Sequence, residues 1–129
     1  MSKSVIVAGG APKPFQGAPY NQAISAGGFV FCAGQLGLDP ESGQLVDGGI
    51  AAQTQRAIQN VQAILAGAGL GLDAVVKSTV FLTDLGDFAA MNDVYAQYFT
   101  SDPPARTTVQ VAALPAGAIF ELDVIAAAG

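Results

Sequence analysis

The chain contains no histidine, no tryptophan and a single cysteine, Cys32. Without histidine there is no Ser-His-Asp or Cys-His relay, and no His-ligated zinc or haem. One thiol cannot close an intrachain disulfide. Cations are scarce as well: five Lys and Arg stand against ten Asp and Glu, a net charge of −5. RNA, DNA and anionic membranes are gripped by arrays of cations, so neither nucleic acid nor membrane is expected as a partner. No run approaches the ~18 apolar residues of a membrane-spanning helix. The C-terminal apolar stretch is interrupted by Glu121 and Asp123, and the N-terminal one by Gly9-Gly10 and Pro12, too early for a secretory signal. The expected location is a reducing compartment, most simply the cytoplasm. No Walker loop, nucleophile elbow or metal-ligand cluster is present. Gly67, Gly69 and Gly71 follow an apolar helix instead of opening one, and lack G-x-G-x-x-G spacing, which argues against a dinucleotide site.

What remains is a chain of 129 residues, 51% hydrophobic and only 12% charged, a globular composition for one domain over residues 1–129. Ser4 to Ala8 reads as a short strand. Three prolines then make 11–19 a loop. Gln22 to Ser25 and Phe29 to Gly34 read as a hairpin about Gly27-Gly28. Turn residues dominate 37–49. From Ile50 the period changes: Ala57, Ile58, Val61, Ile64 and Leu65 recur at helical spacing, with Gln53, Gln55, Arg56, Gln59 and Gln62 between them. Val75 to Leu82 is a strand. Phe88, Met91, Val94, Tyr95 and Tyr98 form a second helical stripe, preceded by the capping acids Asp84 and Asp87. Thr107 to Leu114 and Ile119 to Ala127 close the chain, read as two paired strands about Pro115-Ala116-Gly117.

The order β-β-β-α-β-α-β-β predicts an α+β fold, a single sheet with both helices on one face. Two helices leave the other face bare. With so few charges to solvate it, that face should be covered, most simply by another copy of the chain.

The last two strands hold the candidate chemistry. Pairing them by their apolar faces puts Arg106, Thr108, Glu121 and Asp123 on one side of the sheet. The chain has only two Arg and two Glu, and one of each falls here. A guanidinium on a covered face needs an anion. Two partners fit: a structural carboxylate, Glu121 or Asp123, or the carboxylate of a ligand, matched to the planar fork. Glu121, between Phe120 and Leu122, reads equally as a base poised near apolar walls or as the partner of an interface donor. Tyr20 and Asn92 are weaker candidates, since a loop tyrosine usually packs and a helix asparagine is usually solvated. Cys32, in the apolar run 29–33, reads as a buried bystander.

Pro104-Ala105-Arg106-Thr107-Thr108-Val109-Gln110-Val111, followed by Leu114-Pro115 and Glu121, closely resembles the signature of the YjgF/RidA family. These are the reactive-intermediate (enamine/imine) deaminases, also called L-PSP endoribonucleases. The likeness extends to Ala18-Pro19-Tyr20, Gly34-Gln35, Gln53 to Asn60, Val76 to Asp84 and Phe88 to Asn92. It implies a chorismate-mutase-like fold assembled as a homotrimer, with the sheets forming a central barrel and sites in the clefts between subunits. Members with this arginine hydrolyse 2-aminoacrylate, 2-iminopropanoate or 2-iminobutanoate to a 2-oxo acid and ammonia, with no cofactor and no metal.

Carried onto this chain, the resemblance implies that Arg106 clamps the substrate carboxylate. Backbone groups at Gly34 and near Thr108 would hold the imine nitrogen, and Glu121 would direct the attacking water. Tyr20 and Asn92 would line the cleft. Two positions depart from the pattern of many deaminating members, which carry Cys in place of Thr108 and Ser in place of Ala33. The same framework also suits two other functions. One is a non-catalytic, carboxylate-binding or chaperone-like trimer. The other is a ribonuclease or translation inhibitor, which the shortage of cations disfavours.

Overall fold

The structure is a computed structural model and describes residues 2–128; the expected domain limits, Met1 and Gly129, lie outside the described residues. Seven strands and two helices follow in the order β1 (Ser4–Ile6), β2 (Ala23–Ala26), β3 (Phe29–Cys32), β4 (Gln35–Leu36), α1 (Gly49–Gly67), β5 (Val75–Leu82), α2 (Phe88–Tyr98), β6 (Ala105–Gln110) and β7 (Phe120–Ala127). The expected order holds, with the two-residue β4 added. Gly27 and Gly28 both adopt positive φ, 60° and 83°, the conformation a two-residue hairpin turn demands between β2 and β3.

The strands form one sheet in the spatial order β1-β2-β3-β7-β5-β6, with β4 also paired to β7. It is mixed: β5 and β6 are parallel and the other pairs antiparallel. A parallel pair needs a crossover rather than a tight turn, and α2 supplies it. The expected closing pair is therefore corrected. β6 and β7 do not pair with each other, because β5 lies between them. β6 stops at Gln110, and residues 111–119 are long enough to step across the end of β5.

The core lies between the helices and one sheet face. β7 alternates strictly, with Phe120, Leu122, Val124 and Ala126 buried and their neighbours half-buried. Against them pack Ala57, Ile58, Val61, Ile64 and Leu65 of α1 and Met91 and Tyr95 of α2. The opposite face is open, apolar over β1 to β3 and polar where Lys77, Thr79, Glu121 and Asp123 alternate with the core residues of β5 and β7. Register aligns Val5, Ile24, Phe31 and Ile125 across four strands of it. Phe29 and Phe31 there remain 42% and 44% exposed. A bare apolar face of this extent is what an assembly interface covers. No helix among the described residues is long and apolar enough to cross a membrane.

Three polar residues of α1 are not solvated, Thr54 among them. Gln53 and Asn60 are buried. Asn60 Nδ2 donates to the carbonyls of Leu36 (3.0 Å) and Leu38 (2.9 Å), and Gln53 Oε1 accepts from Ile119 N–H (2.9 Å). They tie the end of β4, the turn after it and the approach to β7 to α1, and a backbone group left orphaned there would cost about 1–3 kcal/mol. These tethers fix the chain on both sides of the cavity described next.

Candidate active site

Glu121 lies where β4 meets β7, opposite Leu36 and, on its other flank, Phe81 of β5. It lines an open cavity of ≈ 320 Å³, walled largely by Pro12, Pro14, Phe15, Leu36, Leu38 and Pro115. Tyr20, Gln22, Gly34 and Lys13 supply polar groups to the same cavity. Its entry loop is held in two ways. Gln22, buried, accepts from Ala8 N–H (2.7 Å) and donates to Pro12 O (2.8 Å). The Tyr20 hydroxyl accepts from Phe15 N–H at 3.0 Å, folding residues 15–20 onto themselves. Gly34 touches the Glu121 carboxylate: a Cβ built there would overlap it. No larger residue fits without displacing that group.

Burial pushes the Glu121 carboxyl above its usual range, and the like charge of Asp123 adds to the shift. Asp123 is itself raised by burial, against the opposing effects of a Thr79 hydrogen bond and Lys77. A carboxyl of raised pKa beside apolar walls is suited to general-base work near neutrality.

Arg106 lies elsewhere. On β6 it stands opposite Ser78 of β5, and Thr108 opposite Val80, both on the helix-covered face. Glu121 and Asp123 alternate with the buried residues of β7 and so take the other face. The expectation that Arg106, Thr108, Glu121 and Asp123 share one side is therefore corrected. The error follows from the pairing: with β5 interposed, matching the apolar residues of β6 and β7 no longer sets their faces. Val109 of β6, apolar as it is, is exposed.

The Arg106 guanidinium carbon sits 4.7 Å from the Tyr95 ring centre and 5.5 Å from that of Phe88. Among the described residues, no carboxylate forms an ion pair with it. Phe88, Asn92 and Tyr95 are spaced i, i+4 and i+7 on α2, so Asn92 belongs to the stripe whose two rings flank Arg106. The six predicted residues thus fall into two groups of three. Tyr20, Gly34 and Glu121 share the cavity; Asn92, Arg106 and Thr108 share the α2–β6 edge.

Sequence reasoning missed Gln22, Lys13 and the rings under Arg106. The stripe of Phe88 and Tyr95 was legible as helical, but not as a platform for a cation. Cys32 is buried as expected, and burial, with a smaller effect from Asp123, pushes its thiol up to about 12. No group of three or more acidic or Cys side chains suited to a metal occurs among the described residues.

A mixed sheet with two helices on one face, an apolar cavity holding a carboxyl and, at one edge, a guanidinium that no carboxylate among the described residues pairs define a small α+β protein. The family model described as Endoribonuclease L-PSP matches residues 10–128. A RutC family protein of Pyrococcus abyssi is 51% identical over 126 residues, covering 98% of each chain. The 2-iminobutanoate/2-iminopropanoate deaminase of Bos taurus is 50% identical over 111 residues, 86% of this chain and 81% of that one. Among solved structures, Escherichia coli TdcF with bound serine superposes with a TM-score of 0.90 at 37% identity, covering 96% of this chain and 98% of that one. The chain belongs to the YjgF/RidA family, whose model bears the endoribonuclease L-PSP name.

Proposed function

We propose that residues 1–129 form one cytoplasmic catalytic domain that hydrolyses small imino and enamino acids to 2-oxo acids and ammonia, without a cofactor. Substrates of the 2-aminoacrylate, 2-iminopropanoate and 2-iminobutanoate type fit this reading. The observation that carries it is the guanidinium of Arg106, resting on aromatic rings with no carboxylate among the described residues paired to it. An arginine in that state presents a free planar fork to a ligand carboxylate. Mammalian relatives at about this distance bear the deaminase name.

In this reading the two groups of residues are two halves of one site. They cannot face each other within one chain, since Arg106 and Glu121 lie on opposite sheet faces. A closed ring of three copies covers the apolar face and sets the α2–β6 edge of one protomer against the Glu121 cavity of the next. Arg106 then holds the carboxylate, with Asn92 and Thr108 beside it. Backbone groups at Gly34 and near Thr108 hold the imine nitrogen, and Tyr20 closes the cleft. Glu121 takes a proton from water as its oxygen bonds to C2, giving a carbinolamine. The same proton goes to the amino group. The C–N bond breaks as the carbinol hydroxyl gives its proton back to the Glu121 carboxylate, and ammonia leaves, taking up that proton as ammonium, with the 2-oxo acid. An enamine substrate first gains a proton from water at C3 to become the imine. An iminium is already electrophilic, so orientation and one base suffice.

The test is to generate 2-aminoacrylate in situ with a serine dehydratase and follow pyruvate release. Acceleration by the protein supports the reading; release at the uncatalysed rate overturns it. That second outcome favours a carboxylate-binding trimer without turnover, the reading that a relative holding bound serine makes worth separating. A finer expectation concerns Gly34→Ala. Its methyl displaces the end of the Glu121 side chain and no backbone, so kcat/KM falls about tenfold or more while the fold is retained. Paired kinetics and thermal melts check this; equal loss of both would place Gly34 in stability alone.

A further inference from the structure

We infer that Tyr95 and Ser78 are positioning residues that fix the Arg106 guanidinium before a ligand arrives. The inference rests on the proposed carboxylate-clamping role of Arg106. The Tyr95 ring is buried, 6% exposed, and restrained on several sides. Its hydroxyl lies 2.8 Å from Ser78 Oγ, which is itself fully buried. The ring stacks on Phe99 with centres 4.3 Å apart and planes 24° apart. Over this ring lies Arg106, at 4.7 Å. Ser78 is also the direct register partner of Arg106 across β5 and β6.

A hydroxyl pair in the core is an odd choice for stability. On the same face of β5, Val80 and Leu82 are apolar. Replacing both partners of a buried hydrogen bond with apolar groups of similar shape is close to neutral. What the pair does supply is orientation: it stops the Tyr95 ring from rotating out of plane or shifting along α2. Arginine carries large rotamer freedom, which a ligand must otherwise restrict as it binds. An aromatic shelf fixed from below removes part of that cost. Burial holds the Tyr95 phenol protonated, so it keeps this hydrogen bond over the working pH range.

The test uses the full-length protein and three variants, Tyr95→Leu, Tyr95→Phe and Ser78→Ala. Removing the shelf in Tyr95→Leu should raise KM for the imino acid about tenfold or more, with kcat within about threefold of wild type. Tyr95→Phe and Ser78→Ala keep the ring but lose its anchor, and should raise KM only about threefold. A merely structural role would instead lower the amount of active enzyme, reducing apparent kcat and leaving KM alone. A second readout needs no turnover. The chain has two arginines, Arg56 and Arg106, so the side-chain Nε–H region of a 15N NMR spectrum holds two assignable signals. The Arg106 signal should be ring-current shifted in the ligand-free protein and move towards the free-arginine position in Tyr95→Leu. An unchanged KM and an unchanged Arg106 signal in folded Tyr95→Leu overturn the inference. If that variant does not fold, wild-type KM in both Tyr95→Phe and Ser78→Ala overturns it. Absence of deaminase activity in the wild type would remove the proposed function, while the NMR signal would still decide whether the shelf fixes Arg106.

Discussion

Arg106→Ala should lower kcat/KM for 2-aminoacrylate hydrolysis by about two to three orders of magnitude, the usual cost of removing one partner of a charged, hydrogen-bonded pair in a desolvated site. The chain's melting temperature should change little, because no ion pair among the described residues is lost with the guanidinium. It rests on Tyr95 and Phe88, and truncation removes only that contact. Arg106→Lys should recover part of the loss at most. An ammonium keeps the charge, but it is a point donor that cannot lie flat on the two rings or meet a carboxylate with two parallel bonds. Steady-state kinetics on the two variants, with circular dichroism to confirm folding, check the prediction. Full activity in Arg106→Ala would reject the clamp even if the deaminase activity is real.

Glu121→Gln should lower kcat by about 10²–10⁴-fold, the range general-base catalysis supplies, while KM changes far less. The pH profile gives an independent sign. The base works only when ionised, so the rate rises as pH climbs through its pKa. Burial, and then Asp123, raise that pKa, so the acid limb of kcat/KM should lie at higher pH than the ordinary glutamate value of 4.5 implies. Asp123→Asn removes the like charge and should move the limb to lower pH without abolishing activity. In Glu121→Gln the limb should disappear. A limb at the ordinary glutamate position, indifferent to Asp123, would assign the titration to another group.

The helices were readable from the chain because Ile58, Val61, Ile64 and Leu65 recur at the period that turns one face to the core, and the hairpin because Gly27-Gly28 permits positive φ at both turn positions. The partners of β6 were not readable. Pro115-Ala116-Gly117 looks like a hairpin turn, and nothing local says that β5 lies between the strands on either side of it. That one topological fact moved Arg106 and Thr108 to the face opposite Glu121. Gln53 and Asn60 were hidden for a related reason. Their polarity reads as solvent exposure unless the carbonyls of residues 36 and 38 and the amide of 119 are known to lie against α1. Arg106, Thr108, Glu121, Tyr20 and Asn92 were legible from strand alternation and local context, and Gly34 only from the family signature; their division into two groups could only come from the fold.

The claim on which the account turns is that one site is assembled from two protomers. Arg106→Ala and Glu121→Gln chains, each inactive alone, should be co-expressed at equal levels and the whole population of assemblies purified and assayed without separating mixed from unmixed rings. If Arg106 of one protomer faces Glu121 of the next in a ring of three, random mixing leaves about one site in four with both groups intact. The account therefore predicts recovery of about a quarter of wild-type activity in the mixture. A mixture as inactive as its parents, in assemblies shown by mass spectrometry to contain both chains, would contradict it.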